Sequence, residues 1–555
     1  MMRLGANTSP ESLRKLNPAL FGSMFTDSFN PPPHALSDPG SNLLKLKMAE
    51  AETTDEPTVG FSSTYLVGVI TCAVVIVSLI LSRLLFSKPK LNLPPTPKGI
   101  PLFGTMLKTR GPKTHRILVE YAKEFGPLYA LKTGLKYFIV VTSPEIAWEG
   151  LLKNAQVFSS RPKLLSRLNF TGWRSVNSAL YGDYWRGIRK NLVTQVTSGS
   201  KVASFAPFRE EELATLMERI DREAKKDDNI ITFLPHCRFT VFSILLHVCF
   251  SKRFDAEDIE ELDAILKRLL IILAPQVIDF IPFLQRFSKK HKNECQTLLD
   301  LMRKMFTPLI DEHRVMRNNG APKLDYVDSL IVLQQEMNLK ETDVLGLIGE
   351  VLTGGTDTTA NTLEWTMANL MKHPEIQQRL YEEIQEVTGG NIVQEAQLVK
   401  MKYLQAVVKE GLRKHPPLPF GITHGVTQQT KFRGYDIPED AMVLFHIQAM
   451  QNDPTIWKDP DVFNPERFLN NDPNYDMTGS HGPKSLEFIP FGAGRRICPG
   501  MNLGLTHAHL ILARLIQRYE FTKVNPNKEI DFDDALRFAV VMVNPLKARI
   551  KLRSS

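Results

Sequence analysis

The longest uncharged stretch of the chain runs from Pro57 to Ser82, and from Tyr65 to Leu81 it is almost continuously apolar. A helix of roughly 20 apolar residues crosses a bilayer, so residues 61–86 predict one transmembrane anchor. A cleavable signal peptide is the competing reading. Against it, the run continues into Arg83-Leu84-Leu85-Phe86 with no small-residue cleavage pattern. Acids (Glu50, Glu52, Asp55, Glu56) precede the run and Arg83, Lys88 and Lys90 follow it, which sets its C-terminal side toward the cytosol. Residues 1–60 show no sustained hydrophobic period and hold Pro31-Pro32-Pro33, so disorder is expected there. A transit peptide is opposed by Glu11, Asp27 and Asp38; a functional start at Met48 is the preferred reading.

After the anchor the pattern changes repeatedly. Prolines at Pro94, Pro95, Pro97 and Pro101 make residues 87–104 a semi-rigid hinge. Tyr129–Gly134 and Phe138–Val141 read as a strand hairpin. Residues 200–350 are mostly amphipathic helix, broken near Lys225–Asp228, Ala274-Pro275, Pro282 and Asn318–Gly320. Ile265–Phe287 is apolar enough for a substrate-access or membrane-dipping region, and equally for ordinary core helices. Leu345–Leu370 is a long helix interrupted by Gly354-Gly355-Thr356-Asp357-Thr358-Thr359: either a kink, or a helix end followed by a new N-cap at Thr356 or Asp357. A helix through Val407-Val408 stops at Pro416-Pro417. Phe420–Val426, Phe432–Pro438 and Val443–Ile447 are strand-like, and Leu503–Tyr519 is an apolar helix. The expected fold is mainly α with a small β region, one catalytic domain over 105–555 behind the anchor.

Composition narrows the class. Net charge is 68 − 60 = +8 with no long basic block; nothing in this argues for nucleic acid, and an anionic membrane surface or an acidic protein partner fits as well. The five cysteines Cys72, Cys237, Cys249, Cys295 and Cys498 are odd in number and form no CxxC pair, which points to a reduced, cytosol-facing chain.

Cys498 stands apart from the other four. It lies in the run Phe488-Ile489-Pro490-Phe491-Gly492-Ala493-Gly494-Arg495-Arg496-Ile497-Cys498-Pro499-Gly500. Glycines let backbone approach a planar group closely, and adjacent arginines favour a thiolate. The alternative is a structural turn with an inert, buried cysteine. Trp185 and Arg189 share a helix face, as do Glu410 and Arg413, and Pro465-Glu466-Arg467-Phe468 offers a further cation.

Together these motifs resemble the heme-thiolate monooxygenases of the cytochrome P-450 superfamily, over roughly 450 residues, most closely plant A-type microsomal members of the fatty-acid hydroxylase and epoxidase sort. The resemblance implies the heme-thiolate fold, heme b (iron-protoporphyrin IX) as cofactor and Cys498 as its axial metal ligand. It implies heme propionates held by Trp185, Arg189, Arg496 and His424, although a lone histidine is often just a satisfied core residue. Asp357 and Thr358 become the acid–alcohol pair that guides protons. Glu410, Arg413 and Arg467 become a structural lock, and Phe538–Met542 a hydrophobic tip over the substrate pocket. The chain has no GxGxxG strand–turn–helix unit of its own, so an NADPH-dependent hemoprotein reductase is implied, docking near Arg186 and Lys190. The expected activity is insertion of one oxygen atom from O2 into a small hydrophobic substrate, a fatty acid being favoured and a terpenoid or phenylpropanoid the alternative. A non-oxygenase isomerase or dehydratase, or a heme sensor, is the reading from another class. The expected location is the endoplasmic reticulum membrane, single-pass, with the plastid envelope as second choice.

Overall fold

A computed structural model of the chain describes residues 68, 70–78, 91–100, 102–320, 325–470 and 472–553. The chain divides into two units, Met1–Lys88 and Pro89–Ser555. In the first, residues 70–78 are helical and exposed, Ile70, Val74, Val75, Ile76 and Val77 among them. The ends of the expected anchor and all of residues 1–60 lie outside the described residues. A different helix, Phe233–Phe250, is long and apolar enough to cross a membrane, but most of it is buried within the second unit. A helix apolar all round belongs to a core.

The second unit is mainly helical with a small β region. Its longer helices are α1 (Thr114–Phe125), α2 (Asp183–Leu192), α3 (Ala206–Ala224), α4 (Phe233–Phe250), α5 (Ala256–Leu273), α6 (Lys289–Asn318), α7 (Tyr326–Met337), α8 (Glu341–Lys372), α9 (Pro374–Thr388), α10 (Lys402–Lys414) and α11 (Met501–Arg518). They stop where the sequence predicts: α3 before the charged turn at 225–228, α5 before Pro275, α6 at Asn318, and α10 two residues short of Pro416. The expected hairpin forms from β1 (Leu128–Thr133) and β2 (Lys136–Val141). Strand β7 (Met442–Phe445) pairs parallel to β2, and β4 (His424–Gly425) pairs antiparallel to β7, giving a four-stranded sheet in the order β1-β2-β7-β4. A three-stranded sheet joins β3 (Ile230–Thr232), β11 (Lys547–Leu552) and β8 (Tyr519–Lys523), and two hairpins, β5 (Thr430–Phe432) with β6 (Tyr435–Ile437) and β9 (Asp534–Leu536) with β10 (Val540–Met542), complete the β content.

Three expectations are corrected. Helix α8 is unbroken through Gly354–Thr359, with no second N-cap at Thr356 or Asp357. The reason is in its threonines. Thr353, Thr356, Thr358, Thr362 and Thr366 each donate to the carbonyl four residues back, at 2.6–2.8 Å, so hydroxyls that favour caps are satisfied inside the helix. Burial against α4 and α11 offsets the roughly 1 kcal/mol that each glycine costs. Gly355 permits that approach: a Cβ there would lie 2.7 Å from Leu245 Cδ1 of α4. Secondly, only His424–Gly425 of the stretch 420–426 is strand, because Gly421 turns the chain at φ +58°. Thirdly, part of the hinge is no free spacer. The carbonyls of Pro95 and Asn92 accept from the amides of Ala130 and Asp436 at 2.9 and 2.7 Å. The stretch 265–287 breaks where the sequence predicts. Pro275 and Pro282 divide it into the end of α5 and two short turns, with Ile271, Phe283 and Phe287 exposed.

Candidate functional site

The loop around Cys498 is a tight hairpin. Its amide donates to the Phe491 carbonyl at 2.9 Å, and Ile497 N donates to Gly494 O at 3.1 Å. Gly492 and Gly494 hold φ of +73° and +69°. A Cβ on Gly494 would come within 2.5 Å of the Leu151 carbonyl oxygen, so this glycine is required twice over, by conformation and by space. Gly494→Ala should therefore cost on the order of 2–3 kcal/mol, seen as a lower thermal unfolding midpoint. Gly434→Ala, also at positive φ but facing open space, should cost less; equal losses would contradict the argument. Helix α11 begins three residues after the cysteine, directing the positive end of its dipole at the loop. Burial raises the Cys498 thiol above its ordinary range, opposed by the Gly500 amide and Arg189.

The residues expected to hold propionates converge beside this loop. Arg189 donates to the Ile497 carbonyl at 2.5 Å. Arg496 donates to Ser159 O (2.7 Å), Val176 O (3.2 Å) and Ala179 O (2.7 Å), and its guanidinium lies 4.3 Å from the Trp185 ring. Trp185 Nε1 donates to Val176 O at 3.0 Å. His424 packs edge-on against Phe445 and its Nδ1 bonds the Phe158 carbonyl at 2.7 Å. Burial, then the charge of Arg161, pushes its pKa down to about 3, so the imidazole is neutral here. Arg495 takes the other direction: it is exposed and sits over Tyr181, as does Arg186.

Two participants were not legible in the sequence. Arg161, 5% exposed, donates to Asn177 O (2.9 Å), Ile422 O (2.7 Å) and Thr423 O (3.1 Å), tying the strand that carries His424 to the loop before α2. Glu350 of α8 accepts from Val176 N (2.7 Å) and Asn177 N (2.5 Å). Burial raises its pKa to about 7, against the pull of those amides and of Arg167 and Arg161. Their only sequence signals are an Arg-Pro pair and one acid in an apolar helix, and neither is specific.

This cluster fits the heme that the resemblance implies. Burial lowers Arg496 to about 10 and Arg161 well below its usual range, with the neighbouring arginines adding to both shifts. A set of buried guanidiniums that lower one another has donors and charge to give to the two carboxylates of a dianionic group. Opposite the loop, Gly354 is exposed in the middle of a core helix, and a Cβ on it would meet nothing within 4 Å. A Cβ on Gly504 of α11 would lie 3.8 Å from Thr359 Oγ1, which puts the Gly354–Thr359 turn against the cysteine helix. Asp357 is ion-paired to Arg238 of α4, which also grips Asp263 of α5 at 2.6 Å. Thr358 Oγ1 donates to Gly354 O at 2.8 Å.

The lock forms as expected. Arg413 binds Glu410 bidentately at 2.7 and 2.9 Å, both side chains fully buried. Arg467 approaches Glu410 at 3.5 Å, an ion pair outside hydrogen-bond range. Gln451, unforeseen, connects this lock to the cysteine run. Its amide nitrogen donates to Leu412 O and Arg413 O, and its oxygen accepts from Ile489 N at 3.1 Å. At the C-terminal tip, Val540 O accepts from Trp365 Nε1 at 3.0 Å, and Phe538 is exposed at the turn of the β9–β10 hairpin.

Comparison with known proteins agrees with this geometry. The Cytochrome P450 family profile matches residues 94–552. Cytochrome P450 89A9 of Arabidopsis thaliana is 32% identical over 492 residues, covering 84% of this chain and 95% of that protein. A trans-cinnamate 4-monooxygenase of Petunia hybrida is 30% identical over 470 residues (82% and 92%). Costunolide synthase of Cichorium intybus is 32% identical over 493 residues (85% and 97%).

Proposed function

Given that the chain belongs to the cytochrome P450 family and is a heme b-binding monooxygenase of the plant type, we propose that it oxygenates a phenylpropanoid or terpenoid, with Cys498 as the thiolate ligand. The observation that carries the substrate reading is the pair of relatives named for trans-cinnamate 4-oxidation and costunolide synthesis. They favour the alternative over the fatty acid expected from sequence. Bound beside Cys498, heme supplies activation of O2, its electron density raised by the thiolate. The protein's own part is positional. Arg189, Arg496, Trp185 and His424 would seat the propionates, and the Gly492–Gly494 backbone lets the loop lie close to the ring. Asp357 and Thr358 would pass a proton: Thr358 Oγ1 leaves the Gly354 carbonyl and donates across the open face at Gly354.

Electrons come from an NADPH-dependent reductase, whose docking we assign to the exposed basic residues Arg186, Lys190 and Arg495. The same reading has residues 61–86 as a single-pass anchor in the endoplasmic reticulum, with the catalytic unit on the cytosolic side. Reconstitution with reductase tests the substrate. Turnover of trans-cinnamic acid or a sesquiterpene is expected; turnover of dodecanoic acid alone would overturn the reading. Thr358→Ala and Asp357→Asn should each lower product by about 100-fold, the lower end of acid–base contributions. NADPH oxidation should continue in both, its electrons appearing as peroxide. Full coupling of NADPH to product in both variants would remove the acid–alcohol pair from the mechanism.

A further inference from the structure

Arg167 is a half-buried cation without a hydrogen-bond partner among the described residues. It lies on the helix Leu165–Thr171, its Nη1 is inaccessible and unbonded, and it forms no ion pair with any described carboxylate. Asp279 and Glu350 supply negative field around it, but their oxygens are already engaged. Asp279 accepts from Ser166 N at 3.0 Å and Gln276 N at 2.7 Å, and Glu350 from Val176 N and Asn177 N. Other arginines with an orphaned nitrogen keep some partner: Arg209 has Glu395, Arg514 has Glu210, Arg467 has backbone carbonyls and Arg219 stacks on Phe239. An inaccessible guanidinium nitrogen without an acceptor is costly unless something arrives to pair with it.

Its position says what arrives. The helix Leu165–Thr171 packs on α5, α6 and α8. Glu350, within the field of Arg167, begins a stripe of α8 in steps of four: Glu350, Gly354, Thr358. That stripe runs past the open face at Gly354 to the acid–alcohol pair, a rise of about 12 Å. A guanidinium fork matches a carboxylate with two parallel hydrogen bonds.

We propose that Arg167 anchors the carboxylate of the substrate, so that this enzyme acts on a hydrophobic carboxylic acid. The inference rests on the monooxygenase reading above and narrows its substrate class. A heme propionate has the same chemistry and is the rival occupant.

The test uses the full chain loaded with heme. Optical titrations compare trans-cinnamic acid and dodecanoic acid with their methyl esters, in the wild type, Arg167→Gln and Arg167→Lys. At least one acid should bind the wild type and weaken at least tenfold in Arg167→Gln, with partial recovery in Arg167→Lys and less than a twofold change for its ester. The same acid should raise the unfolding temperature of the wild type and not of Arg167→Gln. Equal losses for acid and ester, or no acid bound by the wild type, overturn the proposal. Loss of heme from Arg167→Gln in step with affinity assigns Arg167 to a propionate and also overturns it. A wild type that lacks the carbon-monoxide band of a thiolate-ligated heme would instead fail the monooxygenase reading, which keeps the two failures apart.

Discussion

Cys498→Ser should abolish the red-shifted carbon-monoxide band of the reduced protein and reduce oxygenation to background. Serine is close in size and its hydroxyl fits the same loop, so the Cys498 N to Phe491 O bond and the Gly494 turn should survive. What is lost is the soft, electron-donating sulfur. The variant should therefore unfold within a few degrees of the wild type and bind heme weakly, with an absorption band of another ligand type. Cys237, Cys249 and Cys295 are the controls. All three are buried, with thiols raised by desolvation, Cys237 beyond the ordinary range and Cys295 to about 11. Serine at any of them should leave the band in place. Retention of the band by Cys498→Ser would assign the ligand elsewhere.

Glu410→Ala should do the opposite: destroy the fold while touching no reacting atom. It leaves Arg413, fully buried, without its bidentate carboxylate, takes an acceptor from Asn464 N at 2.9 Å, and strips Arg467 of its counter-charge. Breaking a buried pair in this way costs about 3–5 kcal/mol, a large part of the 5–15 kcal/mol that holds a typical domain. The variant should accumulate as insoluble or heme-free protein. Glu466→Ala, which removes an exposed pair with Arg379 one residue from Arg467, should cost under about 1 kcal/mol. If both variants purify with full heme content, the lock is not structural.

The two variants draw on different kinds of information in the chain. The Gly- and Pro-marked run around Cys498 was legible because it encodes its own backbone: glycines at positive φ make a turn wherever they occur. Glu410 and Arg413 were legible because a spacing of three puts them on one helix face. Helix ends at Ala224, Leu273 and Lys414 followed from charge runs and prolines for the same reason. The stretch 354–359 left two readings open, a kinked helix or a new N-cap, because threonine and glycine act locally as breakers; the structure removes the N-cap. Threonine bonds to the preceding turn and packing against α4 and α11 together keep that turn helical.

Sequence alone thus determined most helix ends, the β1–β2 hairpin, the cysteine loop and the family to which it points. The tertiary structure decided how the buried charges are shared. Glu350 meets Val176 and Asn177 across more than 170 residues, and Arg161 reaches Ile422 across 261. Gln451 joins the lock to the heme loop, and Arg167 is left with donors to spare. Local conformational preferences leave a period or a spacing in the chain, whereas a partnership between distant groups depends on burial and field. Those exist only once the segments have been brought together.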